Sequence, residues 1–118
     1  MHQKPEELIR RQAAFRIVRI QDRIRAVDYI CSGSLVLRTK LCGKPSCRCA
    51  NDPAARHGPY HEWGFMEDGR LTHRMVSAEQ ARFLKRAIAN YRRVLRSLRD
   101  WEGQTVRVVN AGTKLKRR

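Results

Sequence analysis

The sequence predicts an α+β fold: a long N-terminal helix, a three-stranded antiparallel sheet and a long basic C-terminal helix. Three observations predict it. Apolar residues recur at helical spacing in both the first and the last third of the chain. Between them lie three short runs rich in β-branched, leucine and aromatic residues. The first two of those runs are joined by a loop that holds three of the four cysteines and a histidine.

Residues 5–31 read as one amphipathic helix. Pro5 suits a first turn, and Glu6 and Glu7 suit the positive end of the helix dipole. Ile9, Ala13, Ile17, Ile20, Ile24, Val27 and Cys31 follow one another at spacings of 4, 4, 3, 4, 3 and 4, one apolar stripe. Arg10, Arg11, Arg16, Arg19, Arg23 and Arg25 fill much of the remainder. The stripe is near-heptad, so it fits either an intrachain core or a homodimer. Ser32-Gly33-Ser34 ends this helix.

Residues 35–41 read as the first strand, with Leu35, Leu37, Thr39 and Leu41 on one face. Residues 60–66 and 70–76 read as the second and third strands. Asp68-Gly69 between them is a strong hairpin signal. Ser77 and Gln80 form a capping box that opens a helix over 77–102, with Gly103 as its stop. Its stripe is Leu84, Ile88, Tyr91, Leu95, Leu98 and Trp101. Thr105 to Val109 is β-prone. Residues 1–103 thus form a single domain, and 104–118 a basic tail.

The loop is the chemically informative stretch. Cys42, Cys47, Cys49 and His57 are spaced C-x4-C-x-C-x7-H. Soft thiolates with an imidazole are the donors a tetrahedral zinc ion takes, so these four are the expected ligands of a structural zinc. His61 is the reserve ligand. Lys44 and Arg48 stand among the cysteines, where positive charge favours thiolates. Free thiols and a redox-active Cys47–Cys49 pair are the competing readings, although no oxidoreductase pattern surrounds them. Cys31 reads as a small apolar residue.

Charge is the second strong signal. The 118 residues carry 26 Lys and Arg against 11 Asp and Glu, a net charge of +15. Residues 1–31 hold seven basic and four acidic residues, residues 32–76 the same, and residues 77–118 twelve and three. The excess therefore lies in the last third, and its natural partner is a polyanion, nucleic acid first. On the strands the candidate contacts are Arg38, Lys40, Arg70 and Arg74; in the loop, Lys44 and Arg48. On the C-terminal helix they are Arg82, Lys85, Arg86, Arg92 and Arg93, and in the tail Lys114, Lys116, Arg117 and Arg118. Trp63, Tyr60 and Phe65 could stack unpaired bases, although the odd spacing of Tyr60 and Phe65 keeps them off one face.

No secretory leader and no apolar run of membrane-spanning length is visible, so the expected compartment is a reducing cytoplasm where clustered cysteines bind metal. No Ser-His-Asp set, glycine-rich phosphate loop or paired catalytic carboxylates can be found, and no enzyme activity is expected. His61 with Glu62 offers a zinc-hydrolase alternative. The pattern His-x-Glu followed by Pro-Cys-x-x-Cys that zinc deaminases need is missing.

The run Cys42-Gly-Lys-Pro-Ser-Cys47-Arg-Cys49, followed by His57-Gly-Pro-Tyr60, a glycine turn and a basic helix with Tyr91-Arg-Arg93, resembles an uncharacterised short bacterial and archaeal family. The resemblance covers about residues 32–100. His61 departs from it, standing where the family often has an aromatic residue. Members look like companions of transposon and other mobile-element genes. The resemblance therefore implies contact with DNA or guide RNA rather than catalysis. The alternative expectation is a protein-interaction module: an inhibitor, or an accessory subunit of a nucleoprotein machine, that meets an acidic partner.

Overall fold

The chain runs α1 (Pro5–Arg25), β1 (Ser34–Lys40), β2 (His57–Glu67), β3 (Arg70–Val76) and α2 (Ala78–Gly112), in a computed structural model that describes residues 4–112. Two short 3-10 turns, Arg48–Ala50 and Pro53–Ala55, lie in the loop between β1 and β2. The chain divides into two compact units. One holds the residues up to Asp28 together with those from Asn90 onward; the other is Tyr29–Ala89. The expected α+β fold class is the one observed.

In the first unit α1 keeps the stripe read from its periodicity. Ala13 and Ile20 are buried, and Ile9, Ile17 and Ile24 are half-buried. Arg107 of α2 donates to the Gln12 side chain of α1 at 3.3 Å, and Asn90 donates to Asp28 at 3.0 Å, so the two helices run antiparallel. The first helix ends at Arg25, not at residue 31. The segment beyond it finds partners elsewhere: Asp28 accepts from Asn90, and in the other unit the Cys31 N–H donates to the Ala87 carbonyl at 3.1 Å. The Val27 N–H still bonds to the Ile24 carbonyl, and the Cys31 N–H takes its partner from α2 instead of from the preceding turn.

The helix α2 passes through Gly103 and runs to Gly112, so residues 104–112 are not a tail and Thr105–Val109 is not a strand. Gln104, Arg107, Val108 and Ala111 extend its shielded stripe. Thr105 returns its hydroxyl to the Trp101 carbonyl at 3.3 Å, the back-bond that satisfies a mid-helix threonine side chain. Leu98, placed in the stripe by periodicity, is 45 % exposed. A Cβ at Gly103 would meet no atom within 4 Å. Gly103→Ala is therefore expected to raise stability by about 1 kcal/mol, the helix-interior difference between the two residues. A shift of the urea midpoint upward checks it; a downward shift would place a helix terminus there instead.

In the second unit the sheet order is β1-β2-β3, all antiparallel. Asp68 and Gly69 take φ of 50° and 78°, the two positive values of a type I′ hairpin turn. The register puts Tyr60, Glu62 and Gly64 of β2 on one face with Val36 and Arg38 of β1 and Leu71, His73 and Met75 of β3. His61, Trp63 and Phe65 take the other face with Leu35, Leu37, Thr72 and Arg74. On that face Trp63, Arg74 and Val76 share a cavity of about 370 Å³ with Phe83 and Leu84 of α2. Ala81, Leu84, Ala87 and Ile88 are the buried residues of α2 here. The capping box forms as expected: Gln80 N–H donates to the Ser77 hydroxyl at 3.0 Å, and Ser77 N–H to the Gln80 side chain at 2.9 Å. Of the apolar face expected on β1, only Leu35 is shielded; Leu37 and Leu41 are 62 % and 56 % exposed, since so small a sheet cannot cover its full length.

Candidate metal centre

The pairing of β1 with β2 shifts register between Arg38 and Lys40, and Lys40 then faces His57, the first residue of β2. The end of β1 and the start of β2 are therefore adjacent. The loop between them returns to its own beginning. Within it the backbone bonds are local: Cys47 N–H to the Lys44 carbonyl, Ala50 N–H to Cys47, and Asn51 and Asp52 N–H to Arg48, at 3.0–3.2 Å. Asp52 caps the second 3-10 turn by accepting from the Ala54 N–H at 3.0 Å. These turns aim the side chains of Cys42, Cys47 and Cys49 at His57.

The three Sγ atoms and the His57 imidazole nitrogen lie within 4.8 Å of one another. Cys42 Sγ is 3.5 Å from Cys49 Sγ, and Cys47 Sγ is 3.3 Å from His57 Nε2. A tetrahedral ion about 2.3 Å from each sulfur and about 2.0 Å from the nitrogen requires S···S near 3.8 Å and S···N near 3.5 Å. These two separations are a few tenths of an ångström short of that and all four donors lie within 4.8 Å of one another, so the donor set can close around a tetrahedral ion. The Cys42 N–H points at Cys49 Sγ at 3.5 Å, the outer hydrogen bond that ligating thiolates commonly accept. Cys49 is 2 % exposed, Cys47 and His57 are half-buried, and Cys42 is on the surface.

The thiols are not alike. The Cys47 thiol is pulled below its ordinary range, first by the Cys49 backbone N–H and then by the side chains of Cys49 and Cys42. The Cys42 backbone N–H draws the Cys49 thiol down, but burial and the neighbouring thiols Cys47 and Cys42 outweigh it and push the group up. Like groups this close ionise together only when a cation shares them.

His61, the reserve ligand, is not part of the cluster. It stands four residues along β2, opposite Leu37 on one side and Val76 on the other. Cys31 is also outside it: its thiol donates to the Ser32 carbonyl at 3.4 Å, and burial raises its pKa.

The expected nucleic-acid contacts fall on several surfaces. Arg38 and Lys40 reach across one sheet face to the Glu62 carboxylate, at 3.3 and 4.0 Å, and His73 meets it at 3.1 Å. Arg70 and Arg74 lie on the opposite face, where Arg74 covers the Trp63 ring at 5.7 Å. The four strand cations thus do not form one reading surface. Trp63 stacks on Phe65 at 4.0 Å between ring centroids, so these two rings take each other as partners. Arg48 pairs with Asp52 at 3.4 Å, and Lys44 is exposed. Arg82, Lys85, Arg86, Arg92 and Arg93 are exposed along α2, with Arg93 donating to Asn90. Lys114, Lys116, Arg117 and Arg118 lie outside the described residues.

Glu62 is the residue sequence reasoning undervalued. It is 7 % exposed, a buried carboxylate held by the Arg38 guanidinium from one neighbouring strand and the His73 imidazole from the other. Its neighbour His61 lies on the other face of β2. No local signal marks Glu62, because its partners come from strand register.

Fold and site together define a small α+β protein with a Cys3His candidate metal centre between its first two strands. The chain belongs to the family described as a domain of unknown function, DUF6788, whose model matches residues 5–85, from the start of α1 through the sheet and into α2. No curated protein and no solved structure matches it. Among the described residues, no helix is long and apolar enough to cross a membrane.

Proposed function

We propose that this protein is a zinc-stabilised nucleic-acid-binding protein, with DNA favoured over RNA, that serves a mobile element or nucleoprotein complex and performs no catalysis of its own. Three thiolates and one imidazole are a donor set that favours zinc over harder ions. Four protein ligands close the coordination sphere, as in structural sites, so Cys42, Cys47, Cys49 and His57 would hold the ion and it would supply cross-linking of the loop. The observation that carries the nucleic-acid reading is the unbalanced charge. The chain has 26 basic residues against 11 acidic ones, and the arginines of α2 are mostly exposed. The mobile-element association rests on the resemblance of the Cys42–Tyr60 stretch. A reducing cytoplasm is the compartment in which such a thiolate set persists.

Binding of zinc-loaded protein to labelled duplex DNA, single-stranded DNA and structured RNA across a salt series tests this. The expected result is micromolar or tighter binding near physiological salt, with log K falling linearly in log salt at roughly 0.9 per phosphate contacted on duplex. Weak binding to all three that vanishes together at modest salt would refute it.

One observation favours a second reading, a protein-interaction module. The sheet face around Glu62 also presents Val36, Leu71 and Met75 at 43 %, 65 % and 51 % exposure. Binding to an acidic protein that persists in high salt would support that reading, because an apolar interface is not screened.

A further inference from the structure

The arginines of α1 and of the second part of α2 meet along one groove. Arg16, Arg19 and Arg23 follow at spacings of three and four and share a face of α1. Arg99, Gly103 and Arg107 follow at spacings of four on α2. Antiparallel packing brings these two faces together around a groove of about 450 Å³, with Ile20 in its lining. Ile20 is 4 % exposed.

Among the described residues the charges in this groove are not balanced by ion pairs. One acid, Asp100, lines it, against five arginines. Among the described residues the ion pairs seen include Arg25, Arg38, Lys40, Arg48 and His73, and none of the five groove arginines. Two are positioned without being neutralised. Arg19 lies over the Phe15 ring at 5.4 Å, and Arg107 donates to Gln104 at 2.9 Å and to Gln12 at 3.3 Å. A row of like charges held this way repels itself and attracts an anion.

We infer that this groove binds the phosphate backbone of a nucleic acid. The inference rests on the nucleic-acid reading above and gives it a location that neither the strands nor the exposed face of α2 supplies. Guanidinium forks match phosphate oxygens two at a time. Protein interfaces have cores depleted of charge, and the one apolar residue lining this groove is already buried, so an acidic protein segment would find no anchor. From Arg99 to Arg107 the helix rises about 12 Å. That is the axial length of roughly three phosphates on one strand.

The test is fluorescence anisotropy of zinc-loaded full-length protein with labelled duplex DNA, single-stranded DNA and structured RNA over a potassium chloride series. Three forms are compared with wild type. Arg16→Gln/Arg23→Gln/Arg99→Gln removes groove charge with helix-compatible residues. Gly103→Glu keeps every arginine and sets a carboxylate where a Cβ meets no atom within 4 Å, so it does not depend on a fragile packing site. Arg70→Gln/Arg74→Gln changes the sheet alone. The triple variant is expected to bind the preferred ligand at least tenfold more weakly, with its salt slope reduced by about two. Gly103→Glu is expected to weaken binding at least fivefold, and the sheet variant less than twofold, all at unchanged helical circular dichroism. Wild-type binding with both groove variants matching it in affinity and slope overturns the groove while leaving the nucleic-acid reading intact. No wild-type binding to any of the three overturns that reading and the groove with it. Tighter groove-dependent binding of poly-glutamate than of any nucleic acid also overturns the inference, because it assigns the groove to acidic protein.

Discussion

Chelating the metal is expected to lower the melting temperature by on the order of 15 °C and to detach the loop between β1 and β2. An ion present at a thousand times its dissociation constant stabilises the folded state by about 4 kcal/mol. Each kcal/mol moves the midpoint of a domain this size by roughly 4 °C or more. The loop has little else to hold it. Its backbone bonds are between near neighbours, and in residues 41–56 only Cys49 is buried. Purified protein should contain one zinc per chain by atomic emission. Cys49→Ser should lose it, and Cys31→Ser should keep it, since Cys31 lies outside the cluster. Acid should act in the same direction as the chelator. Protons compete with the metal for thiolates and imidazole, so the stability present at neutral pH is lost as pH falls. A protein without bound metal, melting at the same temperature with and without chelator, would show that the thiols are merely neighbours.

Gly33→Ala is the second large effect, expected to cost about 3 kcal/mol. Two terms contribute. Gly33 has φ of +112°, which an L side chain rarely adopts, at roughly 1–3 kcal/mol. An added Cβ would also stand 2.3 Å from the Gly64 carbonyl oxygen and 2.9 Å from Trp63 Nε1. The carbonyl cannot yield cheaply, because Gly64 is paired with Ser34 in the sheet. Trp63 is itself tied by its indole N–H to the Ser32 carbonyl at 3.4 Å. Gly69→Ala is the control: its φ is +78°, but nothing lies within 4 Å of the added atom. It should cost about 1 kcal/mol, the backbone term alone. Urea denaturation of the two variants side by side separates the terms. Equal costs would mean that the chain around Gly33 relaxes to admit the methyl group.

Local chemistry made much of this protein legible from its sequence. The Asp68-Gly69 turn and the Ser77–Gln80 capping box each depend on residues that touch within a few positions, and both form as expected. The α1 stripe is a property of helical period and survives as Ala13, Ile17, Ile20 and Ile24. The cysteine spacing confines its ligands to one loop, so the cluster itself could be read in advance.

Other features needed partners distant in sequence. Two histidines stood close to the cysteines, and only strand register selects between them: His57 faces Lys40 at the loop's edge, while His61 faces Leu37 inside the sheet. Gly103 carries the propensity of a helix stop, yet α2 continues, with Arg107 bonded to Gln12 95 positions away in sequence. The helix α1 ends before its apolar period does, and beyond it the Asp28 side chain and the Cys31 N–H bond to Asn90 and Ala87. By sequence Glu62 stood out only beside His61, as a zinc-hydrolase alternative; register sets Arg38 and His73 beside it. The groove arginines sit about 80 residues apart along the chain, on two helices whose periodicities describe each face but not their meeting. Sequence determined the order of helices, strands and cysteine loop, though not where the two helices end, because that order follows from contacts between near neighbours. Tertiary structure decided which histidine, which acid and which arginines stand together, because strand register and helix pairing act between residues that propensity treats as independent.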